Sequence, residues 1–551
     1  MTRLRLIAGM SVLACHGFIS PSHALDFSFD NGVDVALDTT VTYGLQWRVQ
    51  SRDSLISADR FLADLKEDPF LPLTDPRYAS QQTLIINGDD GNNNFDTGLV
   101  SNRLTVLMDM DARWRDYGLF VRGRAFYDSV YKDDATDLDI DGFRTYNSGT
   151  LYDGPAAVGE FPPETRDEHG DRVEFLDAFL YGTFELPGDR LLDVRAGRQV
   201  VNWGEAVFYQ GINSIQNRAD AQAANTPGVE IKEILLPTGT VYGQVDVLAN
   251  LSFEAYYQYE WIENDLNGSG SYFSTNDQTG PGASAFLIPS PGLSFIPEDI
   301  RGNQFNLRGV PRTRDEDASD SGQWGAAFHY ITEGNTDIGI YHAVGHDKKP
   351  SLELSYEELF GQRIPVSYRQ RYFEDIRGSA ISFTTVLWEA NITGELSYLD
   401  GTPMVNSEGD PQRENLMKIQ IGGSHVLGPS AIWDDLTLSF ETFYANVRSA
   451  SERDLIADDY AMGYSIFATS GYKNVFPGWD LEVPIFFKHD VSGVIQELQA
   501  YSGAKVLSVG LGGYYLNNFR AGIAYSAYFG GDRKNLLRDR DHIAVTLKYS
   551  F

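Results

Sequence analysis

Apolar and polar side chains alternate along many stretches of this chain, at the two-residue period of a β-strand with one face in an apolar medium. Leu37, Val41, Tyr43, Leu45, Trp47 and Val49 share one face, and Asp38, Thr40, Thr42, Gln46 and Arg48 share the other. Leu104, Val106, Met108, Met110, Ala112 and Trp114 repeat the pattern opposite Asp109, Asp111 and Arg113. Asp116-Tyr117-Gly118 marks a tight turn, after which Leu119, Val121, Ala125 and Tyr127 return against Arg122, Arg124 and Asp128. The alternation recurs over 251–261 and 519–529. In the last stretch Ile543, Val545, Leu547, Tyr549 and Phe551 oppose His542, Thr546, Lys548 and Ser550. A terminal alternating strand that closes on an aromatic is the insertion signal of bacterial outer-membrane barrels. Tyr549 and Phe551 are therefore read as an assembly signal, against the plainer reading of a half-buried strand.

The connections sharpen this. Short ones fall near 115–118, 187–190, 249–250, 333–335, 428–434, 476–479 and 517–518. Longer polar ones lie at 50–100, 131–168, 202–238, 262–318, 348–370, 400–412, 450–460 and 531–540. Alternating short and long connections are those of periplasmic turns and extracellular loops. Sandwich strands are usually shorter and rarely carry aromatics at both ends. The expected fold is all-β: one transmembrane antiparallel β-barrel of about 18 strands (14 or 16 being the other even counts) over 25–551. The connection 203–237, with aromatic and small residues rather than acids, is expected to fold into the lumen.

Composition narrows the class. Met1 to Arg5 is basic, 6–19 is apolar, and Ser22-His23-Ala24 is a small-x-small site, so 1–24 reads as a signal peptide cleaved after Ala24. A lipoprotein box ending at Cys15 is the rival reading. Losing Arg3 and Arg5 moves the net charge from -33 to -35, a poor charge for binding nucleic acid. Cys15 is the only cysteine, so the mature chain has no thiolate chemistry. Aromatic residues make up 13% while mean hydropathy is only -0.29, as expected where apolar residues come at alternate positions.

Arg113, Arg122, Arg124, Arg195, Asp109, Asp111 and Asp177 fall on lumen-facing parity. They could form a charged ladder that orients solutes, or an Arg–carboxylate network that braces the wall. Phe175, Phe179 and Tyr181 share the parity of Asp177, and Trp203, Phe208 and Tyr209 lie in the inward connection. Together they could line an apolar path with polar rims, or serve only to pack the loop. Asp133, Asp134, Asp137, Asp139 and Asp141, and Asp315, Glu316, Asp317 and Asp320, could bind Ca²⁺ but read first as solvated acidic loops. His342 and His346 would stand about 13 Å apart on a strand, too far to share a metal. No catalytic residue, metal or cofactor is expected.

Several stretches resemble the proteobacterial outer-membrane family called domain of unknown function 1302. They are Arg195-Ala196-Gly197-Arg198-Gln199-Val200-Val201-Asn202-Trp203-Gly204-Glu205, Gly270-Ser271-Tyr272-Phe273-Ser274-Thr275-Asn276-Asp277, Asp320-Ser321-Gly322-Gln323-Trp324-Gly325, Glu374–Phe383, Gly394–Tyr398, Arg538–Asp541 and Lys548–Phe551. The resemblance covers the mature chain and departs at Phe373, where proline would be expected. It implies a porin-like barrel broadly akin to the long-chain fatty acid and hydrocarbon transporters, in the outer membrane of a Gram-negative bacterium. It also implies a periplasmic lipoprotein and an inner-membrane pump of the resistance-nodulation type as partners. Outer-membrane lipid, lipopolysaccharide and the barrel-assembly machinery are expected around any such barrel. Three functions follow as expectations: passive uptake of hydrophobic or amphipathic small molecules first, envelope lipid or precursor transport second, and an outer-membrane hydrolase a distant third.

Overall fold

The computed structural model describes residues 25–75, 82–83, 85–132, 160–188, 190–290, 306–359, 361–495, 498–516 and 518–551. The signal peptide expected over 1–24 and the acidic run 133–141 lie outside the described residues. Among those described, eighteen strands form the wall. The first six are β1 (Val33–Arg48), β2 (Gly98–Trp114), β3 (Tyr117–Asp128), β4 (Asp171–Leu186), β5 (Arg190–Gln199) and β6 (Thr238–Leu248). Next come β7 (Leu251–Gln258), β8 (Gln323–Ile331), β9 (Asp337–Gly345), β10 (Ile376–Leu387), β11 (Ala390–Val405) and β12 (Pro411–Leu427). The last are β13 (Asp435–Val447), β14 (Tyr460–Phe476), β15 (Trp479–Ile495), β16 (Lys505–Tyr515), β17 (Phe519–Phe529) and β18 (His542–Ser550).

Each strand pairs antiparallel with its chain neighbours, and β18 returns to β1 in register from Thr40 opposite Ser550 to Arg48 opposite His542. The barrel is closed. Its side chains sort by parity: Leu396 and Tyr398 stand exposed on the outside of β11, while Glu395 and Ser397 are buried within. Ile419 and Ile421 against Lys418 and Gln420 repeat this on β12. Apolar outside and polar inside reverses the usual order of a water-soluble domain, because the outer medium is hydrocarbon.

The structure corrects the sequence reading at three points. Phe175 does not face the lumen. Val121 pairs with Ala178 but Gly123 pairs with Phe175, so β4 carries a bulge at Leu176-Asp177. The extra residue resets the parity, leaving Phe175 71% exposed on the outer face and Asp177 buried inside. Trp388-Glu389 makes a tight turn that no Gly, Asn or Pro announces; both residues adopt positive φ, at 49° and 67°. Finally, β15 and β16 are joined by an unexpected long connection over 496–504.

Phe551 closes the seam. Its N–H donates to the Thr39 carbonyl at 2.9 Å, and the Thr39 N–H donates back at 2.8 Å. Its ring lies 5.7 Å from that of Tyr549. Deleting Phe551 should remove both bonds and sharply reduce the heat-modifiable, folded fraction on a denaturing gel. A truncated chain that assembles at normal yield would refute the assembly role of the terminus.

Candidate solute path

The connection between β5 and β6 crosses the lumen, and acids of the opposite wall hold it there. Glu441 on β13 accepts the N–H groups of Val207 at 2.7 Å, Phe208 at 3.0 Å and Tyr209 at 3.1 Å. Three successive amides around one carboxylate form an anion nest. Glu395 on β11 accepts from Glu205 at 3.0 Å and Ile212 at 2.7 Å. Lys418 donates to the Gln210 carbonyl at 2.8 Å, so the loop's amides and its carbonyl meet charges of opposite sign. Gly211 is required here, since a Cβ would lie 2.2 Å from a Glu395 oxygen.

The far end of the loop is tied to the barrel seam. Lys548 on β18 meets Glu230 at 2.7 Å, Lys232 meets Glu230 at 3.3 Å and Asp109 at 3.4 Å, and Asp109 meets Arg122 at 2.7 Å. Arg122 also holds Asp177 at 3.0 Å. Signs alternate along this chain of contacts, so each charge is desolvated beside its complement. Burial would raise the Glu230 carboxyl, but Lys548 and Lys232 outweigh it and hold the group down at about 2. Gly228, at φ +79°, slips between the wall residues Thr546 and Thr42.

The positions singled out from the sequence separate into three groups. Arg122 and Arg124 face inward but are committed to ion pairs: Arg124, 2% exposed, holds Glu174 at 2.6 Å and Asp220 of the loop at 2.7 Å. That arrangement favours bracing. Trp203, Phe208 and Tyr209 anchor the loop. The Trp203 indole donates to Glu254 at 2.8 Å and packs on Tyr256, Phe208 meets Phe486, and the Tyr209 ring lies 4.2 Å from Phe443.

Arg113, Phe179 and Tyr181 line the third place, a cavity of about 500 Å³ at the short-turn end, together with Asp111 and Phe120. Tyr181 donates to Asp111 at 2.7 Å, Arg113 pairs with Asp111, and Phe179 lies 5.5 Å from Phe120. Arg195 stands beside this wall, its guanidinium 4.3 Å over the Tyr242 ring and 5.9 Å from that of Phe179. Aromatic faces beside guanidinium groups suit a solute with an apolar body and an anionic end.

Sequence reasoning missed Glu395, Glu441, Lys418 and Lys548 as anchors. The signal available was parity alone: Glu395, Lys418 and Glu441 are charges at mid-strand among small or polar lumen-facing neighbours such as Thr393, Ser397 and Ser439, and Lys548 lies near the end of β18 on the same parity.

The family model described as "Protein of unknown function (DUF1302)" matches residues 5–551. No curated protein matches the sequence. Among solved structures, OccAB3 of Acinetobacter baumannii aligns at 11% identity and TM-score 0.41, over 94% of this chain and 99% of that one. OpdK of Pseudomonas aeruginosa aligns at 9% and 0.42, over 94% and 98%. The outer-membrane channel DcaP of Acinetobacter baumannii aligns at 10% and 0.34, over 95% and 99%.

Replacing 204–236 by a short linker should raise single-channel conductance several-fold in planar bilayers. Glu441→Ala, which strands three amides, should cost about 2–5 kcal/mol and also raise conductance. Conductance unchanged in both would show that the loop does not restrict the lumen. Burial, with Asp337 and Glu395 nearby, pushes the Glu205 carboxyl up to about 7. A raised acid holds its proton more tightly folded than unfolded, so ionising it costs stability as pH climbs from 4.5 to about 7. Glu205→Gln should therefore stabilise the barrel by about 1–3 kcal/mol at pH 8 and leave its melting point unchanged at pH 4. Equal effects at both pH values would refute this.

Proposed function

Because the chain belongs to the family of proteins of unknown function DUF1302, a membership that brings no activity with it, we propose a function from the barrel's own geometry. It is a porin-like channel of the Gram-negative outer membrane through which amphipathic small molecules pass passively, neither enzyme nor pump. One observation carries the reading: the short-turn cavity of about 500 Å³ sets Phe120, Phe179 and Tyr181 beside Arg113 and Asp111, with Arg195 adjoining through Phe179. A uniformly polar lumen would serve sugars or ions; half-buried rings facing a water-filled cavity gain when an apolar solute covers them. The inward loop, tied across the lumen to Glu395 and Glu441, then makes passage selective by occupying the bore.

Arg195 is the guanidinium best placed to meet an anionic solute, whereas Arg122 and Arg124 are occupied by carboxylates. A second reading, transport of lipids or envelope precursors together with a periplasmic lipoprotein and an inner-membrane pump, draws support from the number of ties on the loop. A plug so well held suits a gate that a partner opens.

The test is permeation into proteoliposomes. Aromatic carboxylates should enter faster than neutral sugars of equal size. Phe179→Ala should slow the carboxylates about 3- to 10-fold, as expected for losing roughly 1 kcal/mol of ring contact, and Arg195→Gln should shift the reversal potential toward cations. Equal entry of sugars and carboxylates, unaltered by either substitution, would sink the amphipathic reading. No permeation by the pure barrel, with co-purification of a periplasmic lipoprotein, would favour the second.

A further inference from the structure

At the opposite, long-loop end, the inward loop and the wall enclose a second and smaller cavity, of about 50 Å³. Ile376 at the start of β10, Leu399 of β11 and Leu416 of β12 line it from the wall, and Gln210 and Ile215 line it from the loop. We propose that this cavity is an anion subsite, in which the ammonium of Lys348 holds the carboxylate of a passing amphipathic acid. The inference rests on the reading of such acids as solutes and adds a station on the other side of the constriction.

Lys348 lies in the connection from β9 to β10 and is 4% exposed. Its Nζ donates to the Ile215 carbonyl at 2.8 Å and to the His346 carbonyl at 3.4 Å. Both acceptors belong to residues that line the cavity, as Lys348 itself does, so the ammonium sits on its wall. Two carbonyls use two of its three N–H bonds, and no carboxylate among the described residues is bonded to it. Asp347, the acid of the lining, accepts the Lys349 main-chain N–H at 3.0 Å. Burial, helped by Arg218, outweighs the attraction of Asp347 and lowers the Lys348 ammonium to about 8. A buried charge held only by carbonyl dipoles is stabilised when a counter-charge reaches it.

The rest of the lining selects the kind of anion. Lys418 also reaches the cavity, with its Nζ on the Gln210 carbonyl at 2.8 Å. Asn264 accepts the Ala219 N–H through Oδ1 at 2.8 Å, which leaves its NH₂ group as a further donor in the lining. His346 is spent on the protein, for Nε2 meets the Ser321 carbonyl at 2.8 Å and Nδ1 accepts the Asp375 N–H at 3.1 Å. Donors therefore stand beside aliphatic side chains, a mixture that suits a carboxylate on a hydrocarbon body better than a fully hydrated inorganic anion. The space admits such a head group and little more, since one water needs roughly 10–15 Å³ on the same scale. Exposed Gln210 and half-buried Leu498 mark the mouth, where the body of the solute would rest.

The experiment is calorimetric titration of sodium benzoate into the full-length barrel in detergent. It is run on wild type and on Phe179→Ala with Arg195→Gln, which removes the ring and the guanidinium of the short-turn cavity. In both, Lys348→Gln should abolish one saturable equivalent or weaken it at least about 10-fold, as expected for losing one charge-assisted hydrogen bond. Leu498→Trp, which crowds the mouth and leaves both carbonyl ties of Lys348 in place, should weaken the same equivalent, so the effect is not that of a loosened loop. Lys534→Gln, a surface cation at the same end, should change nothing, and benzamide, the neutral isostere, should not bind. Heat-modifiable migration checks that each variant is folded. Benzoate binding untouched by both Lys348→Gln and Leu498→Trp would overturn the subsite, as would benzamide binding equally well. Phosphate bound more tightly than benzoate would overturn the choice of anion. None of these outcomes bears on the short-turn cavity, which permeation by the Phe179 and Arg195 variants tests separately.

Discussion

Closure of the backbone hydrogen-bond ladder is the constraint on which everything else in this protein rests. In hydrocarbon no water can satisfy an orphaned amide, so a strand wall is tolerable only without edges. The pairing of β18 with β1 supplies that condition, and the reciprocal bonds of Phe551 and Thr39 extend it to the last residue. Once the wall is closed, its outer face must be apolar and its inner face is free to be polar. The alternation of Leu396 and Tyr398 with Glu395 and Ser397 is the consequence, not the cause.

A wide polar interior creates a second problem, because an open bore would pass any solute. Here the interior is partitioned by the connection 200–237, held from both sides by charges whose burial would be costly if they stood alone. Glu441 and Glu395 are satisfied by main-chain amides rather than by arginines, which fixes the loop's backbone and leaves its side chains to pack. Such contacts are directional. A hydrophobic plug could slide, whereas an amide nest around a carboxylate has one register.

The two ends of the barrel then differ in chemistry. At the short-turn end, aromatic rings and guanidinium groups face a cavity; at the long-loop end, Asp89 and Asp90 of one connection lie buried beside Asp277 of another. The long-loop end thus buries acidic groups, while the short-turn end leaves Arg113 in reach of water.

By itself the sequence determined the strand period, the inner and outer parity along 37–49, 104–128, 251–258, 519–529 and 542–551, and the inward course of 203–237, because these express the local medium on each side of a pleated wall. Arg122, Arg124 and Arg195 were placed inside on that ground alone. The period could not reveal the bulge at Leu176-Asp177, which moves Phe175 outward, nor the Trp388-Glu389 turn, whose strained backbone has no glycine to mark it. Nor could it join Glu441 to Val207, Lys548 to Glu230, or Asp89 and Asp90 to Asp277, pairs separated by about two to three hundred residues. Those contacts are decided only when the wall closes, for closure fixes which faces of distant strands and loops meet across the lumen, and no local pattern encodes a distance across it.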